Sequence, residues 1–502
     1  MDSFIKALAL VGTPETIVAI TVSCLFGLFV GAIPGLTATM AVALLVPFTF
    51  YMSPIPAIAT VIACTAMAIT AGDIPSALLK IPGTPSSAAY TDEAYAMTKK
   101  GKGAQALGIS IVASCIGGLF GFVVLAFTAP ALARVALRFS SFEYFWLAIL
   151  GLSCAALVSS SGVIKGVLAL FLGLALSTIG ADPLTGTARF TFGNLDLTGG
   201  LSFVPAMIGL FALGELLRYT PGAPGLVAAT KVKNPYAGVI GILNKHQVNL
   251  WRGSALGTVI GALPGAGGDL GAWISYAMAK RFSKTPEKFG KGHEEGLVEA
   301  GASNNSALSA AWIPAMVFGI PGDAVTAIAV GILFMKGLNP GPQLFTSHPE
   351  NFYAVMLIFV IANLLLIPLG YLAVRAANVI FGVPRAYLNG AIMIFCLVGA
   401  YAANNSMFDV VIMTGFGVLA YLLQRAAFPI APIILGMVMG PLVEQNFLTS
   451  MIISQGDILG FFSRPIAAGL GIVVIVLWSL PPISWVYGRL RGKSIVSLPV
   501  TE

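Results

Sequence analysis

One pattern of helix-breaking residues occurs twice in this chain, each time inside sequence too apolar for water. Gly31-Ala32-Ile33-Pro34-Gly35 is followed by Ile74-Pro75 and then Ile81-Pro82-Gly83. Gly261-Ala262-Leu263-Pro264-Gly265 is followed by Ile313-Pro314 and then Ile320-Pro321-Gly322. The first block recurs 230 residues further on and the last 239, and in each copy the two Ile-Pro pairs stand seven residues apart. Pro and Gly interrupt helices. A helix interrupted within a membrane frees backbone groups to hold a polar solute, and matching interruptions in two halves of a hydrophobic chain point to a transporter's binding site.

The surroundings of these breaks set the solvent. Of 502 residues, 57% are hydrophobic and only 9% charged, with a mean hydropathy of +0.91. Soluble domains carry about a quarter charged residues, so this chain belongs in lipid. Apolar runs such as 16–33, 57–79, 104–129 and 352–374 suit helices, and at about 20 residues per crossing the chain makes about twelve spans. The expected fold is all-α: a polytopic membrane protein in two structural repeats with Pro-Gly-broken or re-entrant helices. Inverted repeats are the arrangement expected where each half carries a broken helix; parallel repeats stay open. The first half covers 1–219, a polar linker 220–250, and the second half with the C-terminal spans 251–502. Residues 1–16 lack the basic region and cleavage site of a secretory signal, so the run at 16–33 is read as a retained first span.

The formal charge of +7 reads as topology. Lys99, Lys100 and Lys102 follow the first copy, Lys231, Lys233, Lys245 and Arg252 crowd the linker, and Arg489, Arg491 and Lys493 lie near the end. The positive-inside rule makes these regions cytoplasmic. They border spans and are not interleaved with aromatics, so no nucleic acid is expected as a partner. The cysteines lie singly in apolar stretches, without disulfide or metal spacing. His246, His293 and His348 all fall in polar stretches, there is no His-Glu-x-x-His, and no Gly-Lys-Ser/Thr ends a phosphate loop. An enzyme is not expected, nor any cofactor.

The polar residues at the breaks differ between the copies. Around Gly83, Thr84, Pro85, Ser86 and Ser87 offer hydroxyls and free N–H groups before a new helix, which suits an anion. Gly35 and Thr37 complete the first copy's polar set. In the second copy Gly265, Gly267 and Gly268 precede Asp269, and Gly322 precedes Asp323 and Thr326. Glycine there lets backbone approach an ion or a carboxylate, with tight helix packing as the alternative. Asn304-Asn305 can donate amides to a carboxylate or accept a cation through their carbonyls, with capping and interhelical bonding as the alternative. Acids in lipid are costly and usually functional, so Asp73, Asp269 and Asp323 are the candidates for holding a coupling Na+ or H+. The plainer reading of Thr84, Ser87 and Asp323 is that they cap helices.

At these motifs the sequence resembles the large membrane subunit of tripartite tricarboxylate transporters. The blocks that carry the resemblance are 261–270, Lys280 to Lys284, Glu299 through Asn304-Asn305, and Gly319 through Pro342. In the first half they are 31–35 and 82–87, with 97–101. The chain departs from the family's usual Asp-Gly-Tyr-Pro at Asp92-Glu93-Ala94-Tyr95. The resemblance implies a bacterial inner-membrane, multi-pass secondary carrier importing a carboxylate and driven by a cation gradient. It further implies a periplasmic solute-binding protein and a small four-span membrane subunit as partners. An elevator or rocking movement would give alternating access. The rival reading is a channel-like or scaffold subunit, in which the motifs only pack helices.

Overall fold

The computed structural model describes residues 2–157, 162–182, 185–218, 234–265, 267–381 and 385–490. They are predominantly helical. A two-stranded antiparallel hairpin pairs Gly180 with Arg189 and Ala181 with Ala188. Lys231 and Lys233, most of the expected linker's first half, and Arg491 and Lys493 lie outside the described residues; residues Val239–Lys245 within the linker are helical.

Among the described residues seven helices are long and apolar enough to cross a membrane, from Pro14–Gly31 to Ala431–Ile453. Five shorter apolar helices of 10–17 residues accompany them, Ala38–Thr49, Ser141–Leu157, Val163–Ser177, Ala324–Met335 and Pro465–Ser479. Helices in lipid satisfy their backbone internally, and their ends here are marked by local chemistry. Thr13 caps Pro14–Gly31 with Pro at the first turn, and Thr37 caps Ala38–Thr49.

Burial divides the helices into a centre and a shell. In Glu294–Phe318 every residue from Gly296 to Val317 is buried, and Pro54–Leu79 is 94% buried over its most apolar window. By contrast Tyr387–Asn404 is only 22% buried, as befits a helix facing lipid. The two enclosed helices are the third elements of the two sequence copies. Each is packed by the first helix of its own copy through glycine. A Cβ on Gly31 would lie 2.3 Å from the Ala68 carbonyl oxygen, and one on Gly261 would lie 2.2 Å from that of Ala307. Small residues at these crossings let the backbones meet.

The copies are joined by the long helix Gly103–Ala136, which packs on Glu294–Phe318. Ser114 donates to the Gly301 carbonyl and Ser309 to that of Gly118, both at 3.0 Å. The twin motifs are thus brought to the middle of one body.

Candidate functional site

The two copies repeat in hydrogen bonds as well as in letters. After the first helix of each copy, Ala32 donates to Leu28 at 3.1 Å and Ala262 to Thr258 at 3.0 Å. The chain then turns at Gly35 with φ 84° and Gly265 with φ 76°, backbone that glycine adopts without strain. At the second break, Lys80 and Gly319 both take the left-handed conformation. The N–H of Ile81 then closes on the Pro75 carbonyl at 3.3 Å, and that of Ile320 on Pro314 at 3.2 Å. The left-handed residue's own N–H turns to the same carbonyl, so the helix ends in a wide loop whose closing bond reaches back six residues, one further than in a Schellman end. It explains why each Ile-Pro-Gly is preceded seven residues earlier by another Ile-Pro.

Each Ile-Pro-Gly leads into a capping box. Thr84 and Ser87 bond each other's backbone reciprocally, as do Asp323 and Thr326. Ser87 also accepts from Ser76 at 3.0 Å, and the Thr84 and Ser86 hydroxyls share a 3.1 Å bond. Thr84, Ser86 and Ser87 are buried, whereas Pro85 is exposed. Capping therefore occupies Thr84, Ser87, Asp323 and Thr326 in this conformation. Gly83 and Gly322 press on the central helices: Gly83 donates to the Gly72 carbonyl at 3.2 Å, and a Cβ on Gly322 would meet Ala311.

The loops of the two copies meet reciprocally. The helix Gly267–Phe282, after the second copy's first break, packs on Pro85–Ala88, after the first copy's second break. In the same sense Ala38–Thr49 packs on Ala324–Met335. At the first of these junctions Trp273 donates its indole N–H to the Pro85 carbonyl at 3.2 Å. The Ser86 backbone N–H points at the Asp269 carboxylate, and Asp323 lies near enough for the two acids to repel. Asp269 is exposed and Asp323 half-buried. A Cβ on Gly267 would stand 3.2 Å from that of Asp323, and one on Gly268 3.6 Å from the Asn304 carbonyl oxygen. Asp269, Asp323, Ser86, Gly267, Gly268 and the Asn304 backbone are thus gathered together.

Other candidates lie apart. Thr37 caps the Met40 N–H at 3.1 Å, and Gly35 is exposed. Asp73 is buried and accepts from the Tyr90 hydroxyl at 2.7 Å and from Ser110. Tyr90 in turn accepts from the Asn304 amide at 3.4 Å, while the Asn304 Oδ1 has no partner among the described residues. Asn305 bonds Asn363 at 3.3 Å and Thr70 at 3.4 Å. Among the described residues no group of three or more His, Cys, Asp or Glu side chains is arranged to hold a metal, so the three aspartates do not form one acidic cluster.

Two buried acids tie the site's outer elements, and neither was a candidate site residue from sequence, although Glu299 opens one of the blocks that carry the resemblance. Glu93 accepts from the Tyr276 hydroxyl at 2.9 Å and from the backbone N–H groups of Gly290, Gly292 and His293, the last two at 2.7 and 2.6 Å. It joins the first copy's Thr91–Lys99 helix to the start of the central Glu294–Phe318. The only sequence signal was the departure at Asp92-Glu93. Glu299 forms a bidentate pair with Arg252, 2.7 Å at Nε, and accepts from Asn249 at 2.8 Å; sequence alone marked Arg252 only for topology. Lys80 pairs with Asp92 at 3.1 Å with both side chains exposed, a contact of little energetic weight. Beside this region, outside the spans, the His246 ring lies 3.9 Å from Glu294 and 3.7 Å from Glu295. Burial lowers its pKa from the ordinary value, against the pull of those two carboxylates.

A buried helical pair flanked by apolar helices, with matched backbone breaks meeting at its middle, defines a multi-pass membrane protein of transporter type. Residues 17–435 match the family described as "Tripartite tricarboxylate transporter TctA family", and the chain belongs to that family. This is a transporter family, and its members work within tripartite systems. Among curated proteins the chain is 35% identical over 488 residues to an uncharacterized 52.8 kDa protein in the TAR-I ttuC′ 3′ region of Agrobacterium vitis, covering 94% of each. It is 39% identical over 230 residues to an uncharacterized protein in the TAR-II ttuC′ 3′ region of the same organism, covering 45% of this chain and 95% of the relative. No solved structure matches the chain.

Proposed function

We propose that this chain is the membrane carrier of a tripartite system, importing a di- or tricarboxylate or related organic acid across the bacterial inner membrane with a cation gradient. Solute reaches it from a periplasmic binding protein, and a small four-span subunit accompanies it. The observation that carries this reading is the junction of unlike loops. The Ser86 N–H and the hydroxyls of the first copy's capping box sit against Asp269 and Asp323 of the second. An anion needs the former and a Na+ or H+ the latter, so their adjacency couples the two solutes. Thr84, Ser86, Ser87, Asn304 and the glycine backbone serve the carboxylate; Asp269 and Asp323 serve the cation, and Asp73 shapes the site through Tyr90 and Asn304.

The halves, 1–219 and 251–502 about the 220–250 linker, are read as inverted. In support, Lys336, after the second copy's last helix, donates to the Phe50 carbonyl at 2.9 Å, beside the start of Pro54–Leu79. Glu93, after the end of that helix, grips the start of Glu294–Phe318. Both contacts support central helices of opposite sense, an arrangement that in a transporter permits one repeat to move against the other.

The test is uptake and counterflow in membrane vesicles holding the complete system, with labelled citrate, succinate and benzoate. Accumulation that collapses with the cation gradient, together with exchange of labelled for unlabelled solute, is the expected result. Equilibration without accumulation identifies a channel or scaffold and overturns the reading.

A further inference from the structure

A pocket walled mostly by apolar residues, with Arg189 and Glu444 as its charged lining, lies away from the broken helices. It opens to one side and holds about 540 Å³ between the hairpin residues Ile179 to Ala181, Arg189 and Thr198 to Leu201, the ends of Val163–Ser177 and Ala324–Met335, and Ala431–Ile453. Its charged wall is Arg189, which forks onto Glu444, Nη2 to Oε2 at 3.1 Å, and reaches Asp182 at 3.2 Å. The pair is partly open, with the Arg189 and Glu444 side chains 26% and 23% exposed. The hairpin that carries Arg189 is held by few backbone bonds and turns at four glycines of positive φ, Gly180, Gly186, Gly193 and Gly200. Gly331 and Phe334 of the cavity wall belong to Ala324–Met335, the helix that starts at the Asp323 capping box. One helix of about 18 Å therefore links the cavity to the site where the two copies meet. Two apolar helices, Ser141–Leu157 and Val163–Ser177, separate the hairpin from the end of Gly103–Ala136. Counting these crossings puts the hairpin on the membrane face opposite Lys99, Lys100 and Lys102.

We infer that Arg189 is a receiving site for the incoming solute, at which a carboxylate of the substrate replaces Glu444 on the guanidinium. The planar fork of Arg binds carboxylates in one geometry whatever molecule carries them. Glu444 is then a resident competitor that neutralises Arg189 while the cavity is empty, and its release frees the hairpin from Ala431–Ile453. This rests on the carboxylate-import reading and extends it to a second point on the route.

Initial uptake rates of the labelled panel in the complete system test it, with membrane amounts checked by blotting. Glu444→Gln removes the forked competitor, leaving only the single Asp182 contact on Arg189, and lowers KM for the transported carboxylate about threefold or more, while Arg189→Gln raises it about tenfold or more. Arg189→Lys keeps the charge but loses the fork, and falls between; it serves if the Gln variant fails to insert. The charge exchange Arg189→Glu with Glu444→Arg stays impaired. If both single variants are equally impaired and the exchange restores wild-type uptake, Arg189 and Glu444 form only a structural pair and the inference is overturned. A wild-type chain that accumulates no panel member overturns the import reading, and this inference with it.

Discussion

Trp273 donates its indole N–H to the backbone carbonyl of Pro85 at 3.2 Å, fastening the second copy's first break to the first copy's second. The bond is placed so that an acid from one half and the Ser86 N–H from the other share one space. Both partners are exposed, so the bond orients the loops more than it holds the fold. Trp273→Phe keeps the ring and removes the donor. A net hydrogen bond of about 0.5–1.5 kcal/mol corresponds to an expected two- to tenfold rise in KM at unchanged protein level. Unchanged uptake kinetics would remove Trp273 from the site.

Glu93 is fully buried and accepts four donors, three of them backbone N–H groups. Such a cluster has no alternative acceptor if the carboxylate is lost. Glu93→Gln turns one accepting oxygen into a donor facing other donors, and a loss of about 3 kcal/mol is expected. Thermal unfolding of the purified protein in detergent should show a clear fall in Tm. Glu93→Ala should lower it as much or more, whereas Asp92→Ala, next door and exposed, should not.

Gly31 and Gly261 make equivalent backbone contacts, so the same substitution has the same consequence in both copies. Gly31→Ala and Gly261→Ala each force a first helix away from its central helix, at about 1–3 kcal/mol for such overpacking. Gly241→Ala, with open space around it, is the control. Comparable Tm losses at Gly31 and Gly261 are expected, and a neutral Gly261→Ala would contradict the packing.

His246 gives the pH dependence a definite sign. Burial lowers its folded-state pKa from the ordinary value, so the folded chain favours the neutral ring. Its contribution to stability is whole above the unfolded-state value of about 6.5 and is lost as pH falls through that value towards the folded one. In NMR spectra of histidine-labelled protein, His246 should titrate below ordinary histidine. His246→Gln should flatten the acid side of the Tm profile; a titration at or above the ordinary value would show that Glu294 and Glu295 outweigh burial.

What the sequence made legible is what Pro and Gly decide locally. The seven-residue Ile-Pro spacing became a helix-closing bond from Ile81 to Pro75 and from Ile320 to Pro314, because both ends of that bond lie within two turns of the break. Capping by Thr84 and Asp323 was legible for the same reason. Asp73, by contrast, draws its partners from Tyr90 and Ser110, and Glu93 from residues some 200 positions away. Nothing in local pattern marks such pairs, since they follow from which helices are central. Arg189 and Glu444, 255 residues apart, escaped notice for that reason. The contrast between a hydroxyl-bearing first copy and an acidic second copy was legible, but not that Ser86 and Asp269 would stand together.

That adjacency makes a separable prediction about coupling. Asp269 is exposed and makes no side-chain hydrogen bond to another side chain, whereas Asp323 spends its carboxylate on the Thr326 N–H at 2.7 Å. Asn caps helices about as well as Asp, so Asp323→Asn preserves the loop while removing a charge. Asp269→Asn removes the charge beside the Ser86 N–H with no cap to disturb. If these two acids hold the driving cation, both variants still exchange labelled for unlabelled carboxylate but no longer accumulate it against a gradient. The larger loss is expected at Asp269, whose carboxylate is the more exposed. Retained gradient-driven accumulation in both would assign the cation elsewhere, with the buried Asp73 and its Tyr90 and Ser110 partners next to be tested. Loss of exchange as well as accumulation in Asp269→Asn would instead place that acid on the path of the carboxylate.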